Sequence, residues 1–153
     1  MILSRACNYG ILATLYIAKE QKNSGSQYMS IKRLSEELNI SFHFLTKILQ
    51  TLTSEGILNS HKGPKGGVML AKKPDEVTIL DLVYAIDGPD IFIECVLGLP
   101  GCGNERPCPM HNQWEQVREN LRQMFGSKTL DDTAGEIEEM KLRLSSFVRS
   151  ETS

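Results

Sequence analysis

The chain has 153 residues, with 17 Lys or Arg and 19 Asp or Glu, so its formal net charge at pH 7 is −2. With 41% hydrophobic and 24% charged residues, it has the composition of a folded globular chain, which argues against intrinsic disorder. The longest apolar stretch near the start, residues 11–18, is far shorter than the roughly 20 residues that cross a bilayer. We therefore expect a cytoplasmic protein with no membrane partner.

The charge is distributed unevenly along the chain. Residues 1–73 hold ten basic and four acidic residues, a net charge of +6, whereas residues 74–153 hold seven basic and fifteen acidic residues, a net charge of −8. Such asymmetry indicates a polyanionic partner for the first half only.

Three helices are predicted in the basic half. Residues 3–22 carry apolar side chains at helical spacing around most of the helix, which predicts a largely buried first helix. Ser30 opens a second helix, a short break follows at Asn39-Ile40, and Ser41 is predicted to cap a third helix. One face of the third helix is apolar, and the opposite face is polar, with His43, Thr46, Lys47, Gln50 and Ser54.

A basic hairpin is predicted after the third helix. Two strand-like runs, residues 57–61 and 68–71, are joined by Lys62-Gly63-Pro64-Lys65-Gly66-Gly67. Two helices joined by a tight turn and followed by such a hairpin are typical of a winged helix-turn-helix, so we predict a mainly α fold with a small β-hairpin wing.

Taken singly, the polar helix face could simply be solvated and the hairpin could simply connect two elements. Together with the net charge of +6 in residues 1–73, these features favour binding to double-stranded DNA. The predicted DNA contacts are Ser41, His43, Phe44, Thr46, Lys47, Gln50, Lys62, Lys65, Gly66 and Gly67.

The acidic half is predicted to contain three further helices and one loop. Thr78 and Asp81 form a capping-box pattern for a fourth helix, which Gly88-Pro89 ends. A Gly- and Pro-rich loop covers residues 90–109, and an amphipathic helix follows from about His111 to Phe125. Apolar residues near a heptad period predict a last helix: Leu130, Ile137, Met140, Leu144 and Phe147.

Three cysteines and one histidine fall in the loop and just after it: Cys95, Cys102, Cys108 and His111. Thiolates and an imidazole on a flexible backbone suit an iron–sulfur cluster or a Cys3His zinc site, although unligated thiols remain an alternative. The spacing lacks the paired CxxC of zinc ribbons and the CxxCH of covalent haem attachment. Cys7, on the buried helix, is predicted to serve core packing, and His61 is predicted to be a hairpin or backbone-contact residue rather than a metal ligand.

Motifs of catalysis do not occur in the sequence. It contains no Gly-rich phosphate loop, no HExxH and no nucleophile elbow. We therefore predict that the protein is not an enzyme.

Taken in this order, the motifs resemble those of the Rrf2 family of bacterial transcription regulators over nearly the whole chain. The matching segments are residues 9–18 in the first helix, 31–47 as the helix-turn-helix, 56–58 and 62–67 at the wing, 77–83, the three-cysteine loop and 128–130. Two positions differ from the family pattern. Lys62 replaces the usual wing arginine, so a bidentate contact becomes a point charge, and Val68 replaces an aromatic residue.

The resemblance implies an iron–sulfur sensor. Cys95, Cys102 and Cys108 match the family's cluster thiolates, with [2Fe–2S] favoured over [4Fe–4S], and His111 matches the fourth ligand of its iron–sulfur biogenesis regulators. Other members take an acidic ligand from the first helix of the partner subunit. The corresponding position here is Asn8, a poor ligand, which favours His111.

The resemblance also implies a homodimer in which a long C-terminal helix packs against the partner, near the cluster loop. We expect a winged helix-turn-helix domain over residues 1–88, a cysteine-rich cluster-binding loop over 89–110, and the dimerisation helix with a C-terminal helix over 111–153. A two-fold dimer would bind a palindromic operator with half-sites about one DNA turn apart. The implied function is a repressor that senses redox conditions, nitric oxide or iron–sulfur status.

Two alternatives remain open from the sequence. One is a cluster-free or zinc-binding regulator of the same family that senses a thiol or another small molecule. The other is a small iron–sulfur electron carrier or accessory protein, for which the basic face of Lys47, Lys62 and Lys65 has no use.

Overall fold

Helices form most of the computed structural model, which describes residues 2–25, 27–137, 139, 140 and 143. The helices in this part of the chain are α1 (Arg5–Ser24), α2 (Ile31–Leu38), α3 (Phe42–Ser54), α4 (Ile79–Asp87), α5 (Asp90–Ile93), α6 (His111–Gly126) and α7 (Leu130–Thr133). Strands β1 (Leu58–His61) and β2 (Gly67–Leu70) form an antiparallel hairpin, and 3₁₀ turns occur at Pro74–Glu76 and Ala134–Glu136. This arrangement confirms the predicted mainly α fold with a β-hairpin wing. None of the described helices is both long enough and apolar enough to cross a bilayer.

Helix α1 is the centre of the core, as its apolar pattern predicts. Its residues from Gly10 to Ala18 are all buried, and it packs against α3, α4, α7 and β2. The hydroxyl of Thr14, the one buried polar side chain among the described residues, donates to the Gly10 carbonyl at 2.6 Å, so it is satisfied within the helix. Cys7 is fully buried, which confirms its predicted role in packing.

The helix-turn-helix is formed by α2 and α3. Ser30 caps α2 by accepting a hydrogen bond from the Arg33 amide at 3.1 Å, and Asn39 ends the helix in the left-handed conformation, with φ 54°. The predicted side-chain cap of α3 is wrong. Ser41 stands at the N-cap position with φ −50° and ψ 130°, but its hydroxyl accepts no hydrogen bond from the first turn. The first amides of α3 are therefore left to solvent or to a bound anion.

The wing contains a third, very short strand segment that no sequence pattern predicts. Leu58 pairs with Leu70 and His61 with Gly67 in the hairpin, and on the other edge of β2 Met29 forms a bridge with Val68. The Met29 and Val68 amides each donate to the other residue's carbonyl at 2.9 Å. This bridge attaches the wing to the residues that precede α2.

The beginning of α4 forms as the sequence predicts. The Asp81 amide donates to the Thr78 hydroxyl at 3.1 Å, and the Thr78 amide donates to the Asp81 carboxylate at 2.9 Å. The loop predicted over residues 90–109 is wrong at its start, because residues 90–93 form α5. The reason is the burial of Phe92. Its ring centroid lies 5.2 Å from that of Tyr84 and 6.4 Å from that of Phe125.

The C-terminal part returns to α1. Thr129 and Asp132 form a second capping box, and Thr78 and Thr129 form a bridge in which the Ile79 amide donates to the Lys128 carbonyl and the Leu130 amide to the Val77 carbonyl, each at 2.9 Å. Leu130 and Ile137 are fully buried in the core around α1. The continuous helix predicted from Leu130 is wrong, since the 3₁₀ turn interrupts it. Leu144 and Phe147 lie outside the described residues.

Replacing Gly67 by Ala should destabilise the wing. Gly67 has φ +148°, and a Cβ atom there would overlap the Met29 carbonyl, which belongs to the backbone and cannot turn away. Strain and overlap together should lower the free energy of unfolding by about 3 kcal/mol. Urea unfolding measures this change. Gly135→Ala is the matched control, because the space around Gly135 is open, and it should stay within about 0.5 kcal/mol of the wild type.

Candidate DNA-binding surface and thiol site

An open groove runs between α3 and the wing. Five of the residues predicted to contact DNA line it: Thr46, Gln50, Lys62, Gly66 and Gly67. Further lining residues were not predicted: among them are Ser30, Lys32, Phe42 and His61. Phe42, Thr46 and Gln50 follow each other at intervals of four residues, so helical spacing alone would have placed Phe42 on this face.

The other predicted contacts lie outside the groove. Ser41, His43, Lys47 and Lys65 are exposed beside it. Phe44 is half-buried, and its ring meets that of Tyr9 edge-on with the centroids 5.7 Å apart. Its apolar ring therefore packs towards α1, while Phe42, 46% exposed, takes the position facing the groove.

The groove is positively charged at its rim. Lys32 and Lys62 line it, and within the described part of the chain Lys62 and Lys65 form no ion pair. Arg33 nearby is instead paired with Glu20 at 2.9 Å. Unpaired lysines beside the uncapped start of α3 are suited to phosphate groups.

The three loop cysteines converge in the fold. Their sulfur atoms all lie within 4.8 Å of one another, Cys95 and Cys108 are 3.6 Å apart, and none is in a disulfide. Tight turns bring them together: the Gly98 amide donates to the Cys95 carbonyl at 2.9 Å, and the Cys102 amide donates to the Leu99 carbonyl at 3.4 Å.

His111, the first residue of α6, completes the group. Its Nδ1 atom lies 3.5 Å from the Cys102 sulfur, and its Nε2 atom lies 3.2 Å from Oδ1 of Asn104. With the proton on Nε2, the ring donates to Asn104 and turns the Nδ1 lone pair towards the thiols, which is the arrangement that orients a metal-bound histidine. Asn104 was not predicted, because an asparagine in a polar loop carries no distinguishing pattern.

The local environment gives the thiols different acidities. The Leu99 backbone amide is the largest influence on Cys95 and helps to lower the pKa of its thiol to about 7. Desolvation raises the pKa of Cys108. Burial, with a smaller contribution from the charge of Asp87, raises the pKa of Cys7 to about 12.

The donor set fits a metal group. Two thiolates bound tetrahedrally to one ion at about 2.3 Å lie about 3.8 Å apart, close to the separation of Cys95 and Cys108. A cluster of several irons is larger and requires the sulfurs to move apart, which a loop rich in Gly and Pro allows. Three thiols and an imidazole therefore suit either zinc or an iron–sulfur cluster.

In metal-free protein, Cys95 should react first with iodoacetamide. Only the thiolate is the nucleophile, so its alkylation rate should reach half-maximum near pH 7, while Cys108 requires higher pH and Cys7 stays unmodified. Peptide mass spectrometry across pH 5–10 checks the order. Because folding lowers the Cys95 pKa from 9.0, its contribution to stability is full above pH 9 and lost as the pH falls through 7. Alkylation of Cys108 before Cys95 would contradict the assignment.

Comparisons with known proteins agree with this architecture. The Rrf2 family model, described as an iron-dependent transcriptional regulator, matches residues 3–136. A putative HTH-type transcriptional regulator of Aquifex aeolicus is 29% identical over 134 residues, covering 86% of this chain and 90% of the relative. The regulator IscR of Photorhabdus laumondii is 24% identical over 132 residues, covering 86% of this chain and 78% of the relative.

Solved structures show the same fold. CymR, the global cysteine regulator of Bacillus subtilis, superposes with a TM-score of 0.72 at 25% identity, covering 87% of this chain and 95% of that one. IscR of T. potens superposes with a TM-score of 0.69 at 22% identity, covering 90% and 89%. Since the family model matches residues 3–136, well over half of the sequence, the chain belongs to the Rrf2 family of transcriptional regulators.

Proposed function

We propose that the protein is a dimeric transcriptional repressor whose affinity for a palindromic operator depends on an iron–sulfur cluster held by Cys95, Cys102, Cys108 and His111. The observation that carries this proposal is the convergence of three thiols and one imidazole at the junction of the loop with α6. The family's description as iron-dependent supports iron as the metal. Its role is regulatory rather than catalytic, and a DNA partner implies a cytoplasmic protein.

The DNA-binding part of the proposal rests on α3 and the wing. Thr46 and Gln50 present polar atoms from α3, although the Thr46 hydroxyl already donates to the Phe42 carbonyl at 2.7 Å and keeps only acceptor capacity. Lys62 at the wing supplies a charge for phosphate. Gln50 is therefore the side chain in the groove best suited to donate to and accept from a base edge, while the lysines fix position.

The loop is connected to the DNA-binding domain through a compact cluster of aromatic residues and one arginine. Phe92 of α5 packs against Tyr84 of α4, and the Arg122 guanidinium of α6 lies over the Phe92 ring, 5.4 Å from its centroid. Nε of Arg122 also donates to the Tyr84 hydroxyl at 3.3 Å, a contact that raises the pKa of the guanidinium. Because α4 packs against α3, a shift of the loop can move the recognition helix through Tyr84.

When bound, the cluster supplies one-electron redox chemistry and reactivity towards nitric oxide. The thiols and His111 hold it, and Asn104 orients the imidazole. Ligation ties the loop to α6 through three thiols and one imidazole, and loss of ligation removes these constraints. This difference in constraint is the proposed switch.

Helix α6 supports the dimer. None of its 16 residues is fully buried. Met110, the N-cap residue just before α6, and Val117 and Met124 within it are spaced by seven residues and are 47%, 44% and 53% exposed. An apolar stripe with a seven-residue period is suited to pairing with another helix. We assign the stripe to a second copy of this chain, since a two-fold dimer is also what two operator half-sites require.

The spacing of the sulfurs favours one alternative. The 3.6 Å between Cys95 and Cys108 suits a single tetrahedral ion as it stands, so a zinc-binding member of the family that senses a thiol is the second candidate. The third alternative, an electron carrier that binds no DNA, is not favoured, because it gives the groove between α3 and the wing no function.

Replacing Cys95, Cys102 and Cys108 together by Ala should abolish sensing. We expect the wild type, reconstituted anaerobically with ferrous iron and sulfide, to absorb visible light and to change its affinity about tenfold on exposure to nitric oxide. The triple variant should be colourless and hold one affinity under both conditions. The probe is a duplex that the wild type enriches from a random-sequence library, and binding is measured by fluorescence anisotropy.

Cys7→Ala is the control, because Cys7 is a buried core residue away from the site, and it should keep both colour and response. A colourless wild type containing zinc would favour the second candidate instead. An equal response to nitric oxide in the triple variant and the wild type would contradict the switch.

Replacing Val117 and Met124 by Glu should yield a monomer, because two carboxylates would be buried on the pairing stripe. Sedimentation velocity should show half the wild-type mass, and affinity for the enriched duplex should fall at least tenfold because only one half-site is held. Gln116→Glu introduces one of these two negative charges on an exposed residue about 100° around the helix from Val117 and should remain dimeric. A dimeric double variant would contradict the assignment of the stripe.

A further inference from the structure

Arg118 lies on the face of α6 that borders the thiol site. His111, Trp114 and Arg118 follow each other at intervals of three and four residues, so they share one side of the helix. All three line the same pocket as the sulfurs of Cys95, Cys102 and Cys108. This side of α6 therefore forms one wall of the pocket. Arg118 supplies a positive charge to that wall, and Glu115, which also lines the pocket, supplies a negative one.

The guanidinium of Arg118 is anchored next to a thiol. Its Nη1 atom donates to the Glu94 carbonyl at 3.3 Å, and the indole Nε1 of Trp114 donates to the same oxygen at 2.8 Å. Glu94 directly precedes Cys95, so two donors from α6 hold the backbone from which the first thiol projects. The second donor means that the backbone remains held if Arg118 is shortened.

One donor of Arg118 has no acceptor. Its Nε atom is buried, and no residue that the structure describes accepts a hydrogen bond from it. A buried N–H of a charged group without an acceptor is unfavourable, so a partner is expected from a group that this pocket binds. Arg122, one turn further along α6, contrasts with it, since its Nε donates to Tyr84 and its Nη1 to Glu119.

We propose that Arg118 contacts the bound iron–sulfur group directly, its Nε–H donating to a sulfur and its charge offsetting that of the thiolates. This inference rests on the function proposed above. Hydrogen bonds to sulfur and nearby net charge are two of the factors that set the reduction potential of such groups. One-electron reduction adds a negative charge, which a fixed cation stabilises, so Arg118 raises the midpoint potential. The residue thereby sets the redox condition at which the regulator switches.

The test is a spectroelectrochemical titration of reconstituted wild type, Arg118→Gln and Arg118→Lys, with dithionite as the electron donor. In Arg118→Gln the ratio of reduced to oxidised protein at the wild-type midpoint should fall about tenfold, equivalent to about 59 mV for one electron. Arg118→Lys keeps the charge but loses the planar donor, so its shift should be smaller. Arg106→Gln removes the same charge from an exposed loop position that does not line the pocket, and its midpoint should match that of the wild type.

A second measurement separates contact from a merely structural role. Trp114 is the single tryptophan of the chain, so its fluorescence reports on the wall of the pocket in metal-free protein. The emission maximum and the thermal midpoint of metal-free Arg118→Gln should equal those of the wild type. If Arg118→Gln does not fold, the midpoint of Arg118→Lys decides.

The two proposals fail in different ways. A coloured wild type with the same midpoint in every Arg118 variant that folds would overturn the role of Arg118 alone. A wild type that takes up no iron would overturn the cluster and, with it, this assignment. An equal shift in Arg106→Gln would also overturn it, because the effect would then be one of net charge at a distance rather than of contact.

Discussion

The beginnings of α4 and α7 lie side by side, and the arrangement of the second half depends on this pairing. Thr78 and Thr129 each cap a helix through a capping box, and two backbone hydrogen bonds of 2.9 Å join the segments that carry them. The two ends of the segment between them, residues 79–128, are therefore held next to each other at the core. Leu130 and Ile137, buried just beyond this point, hold the return against α1.

This arrangement supports the proposed coupling between the thiol loop and the DNA-binding surface. The loop lies between α5 and α6, which are held to α4 by the rings of Phe92 and Tyr84 and by Arg122. Because both ends of this segment are attached to the core, a change of order in the loop can reach the rest of the fold through α4 and α6. The first packs against α3, and the second carries the exposed stripe assigned to the partner. In the proposed function, sensing and pairing therefore belong to residues 79–128, and they are coupled to DNA binding through the contact between α4 and α3.

Charge and burial divide the molecule in the same way. The first half, with its net charge of +6, contains α3 and the wing, while the acidic half contains the thiol loop and α6. Differences in burial also give Cys7 and the loop cysteines different chemical properties. Desolvation raises the pKa of Cys7 to about 12, whereas a backbone amide helps to keep the pKa of Cys95 near 7. The first thiol is inert packing, and the second is available for ligation.

The sequence by itself determined helices α1 to α4 and α6, the hairpin, the capping box of Thr78 and Asp81, and the identity of the metal-binding candidates. These follow from local rules, namely apolar periodicity, turn residues and the ligand chemistry of Cys and His. It determined neither α5, which exists because Phe92 is buried, nor the Met29 bridge to the wing, because both depend on contacts with remote residues. The tertiary structure also turned Phe44 inward and Phe42 outward, and it placed Asn104 and Arg118 beside the thiols. The tertiary structure decides these orientations, because whether a side chain faces the core, a groove or a ligand depends on which element packs against it. A local sequence pattern does not contain that information.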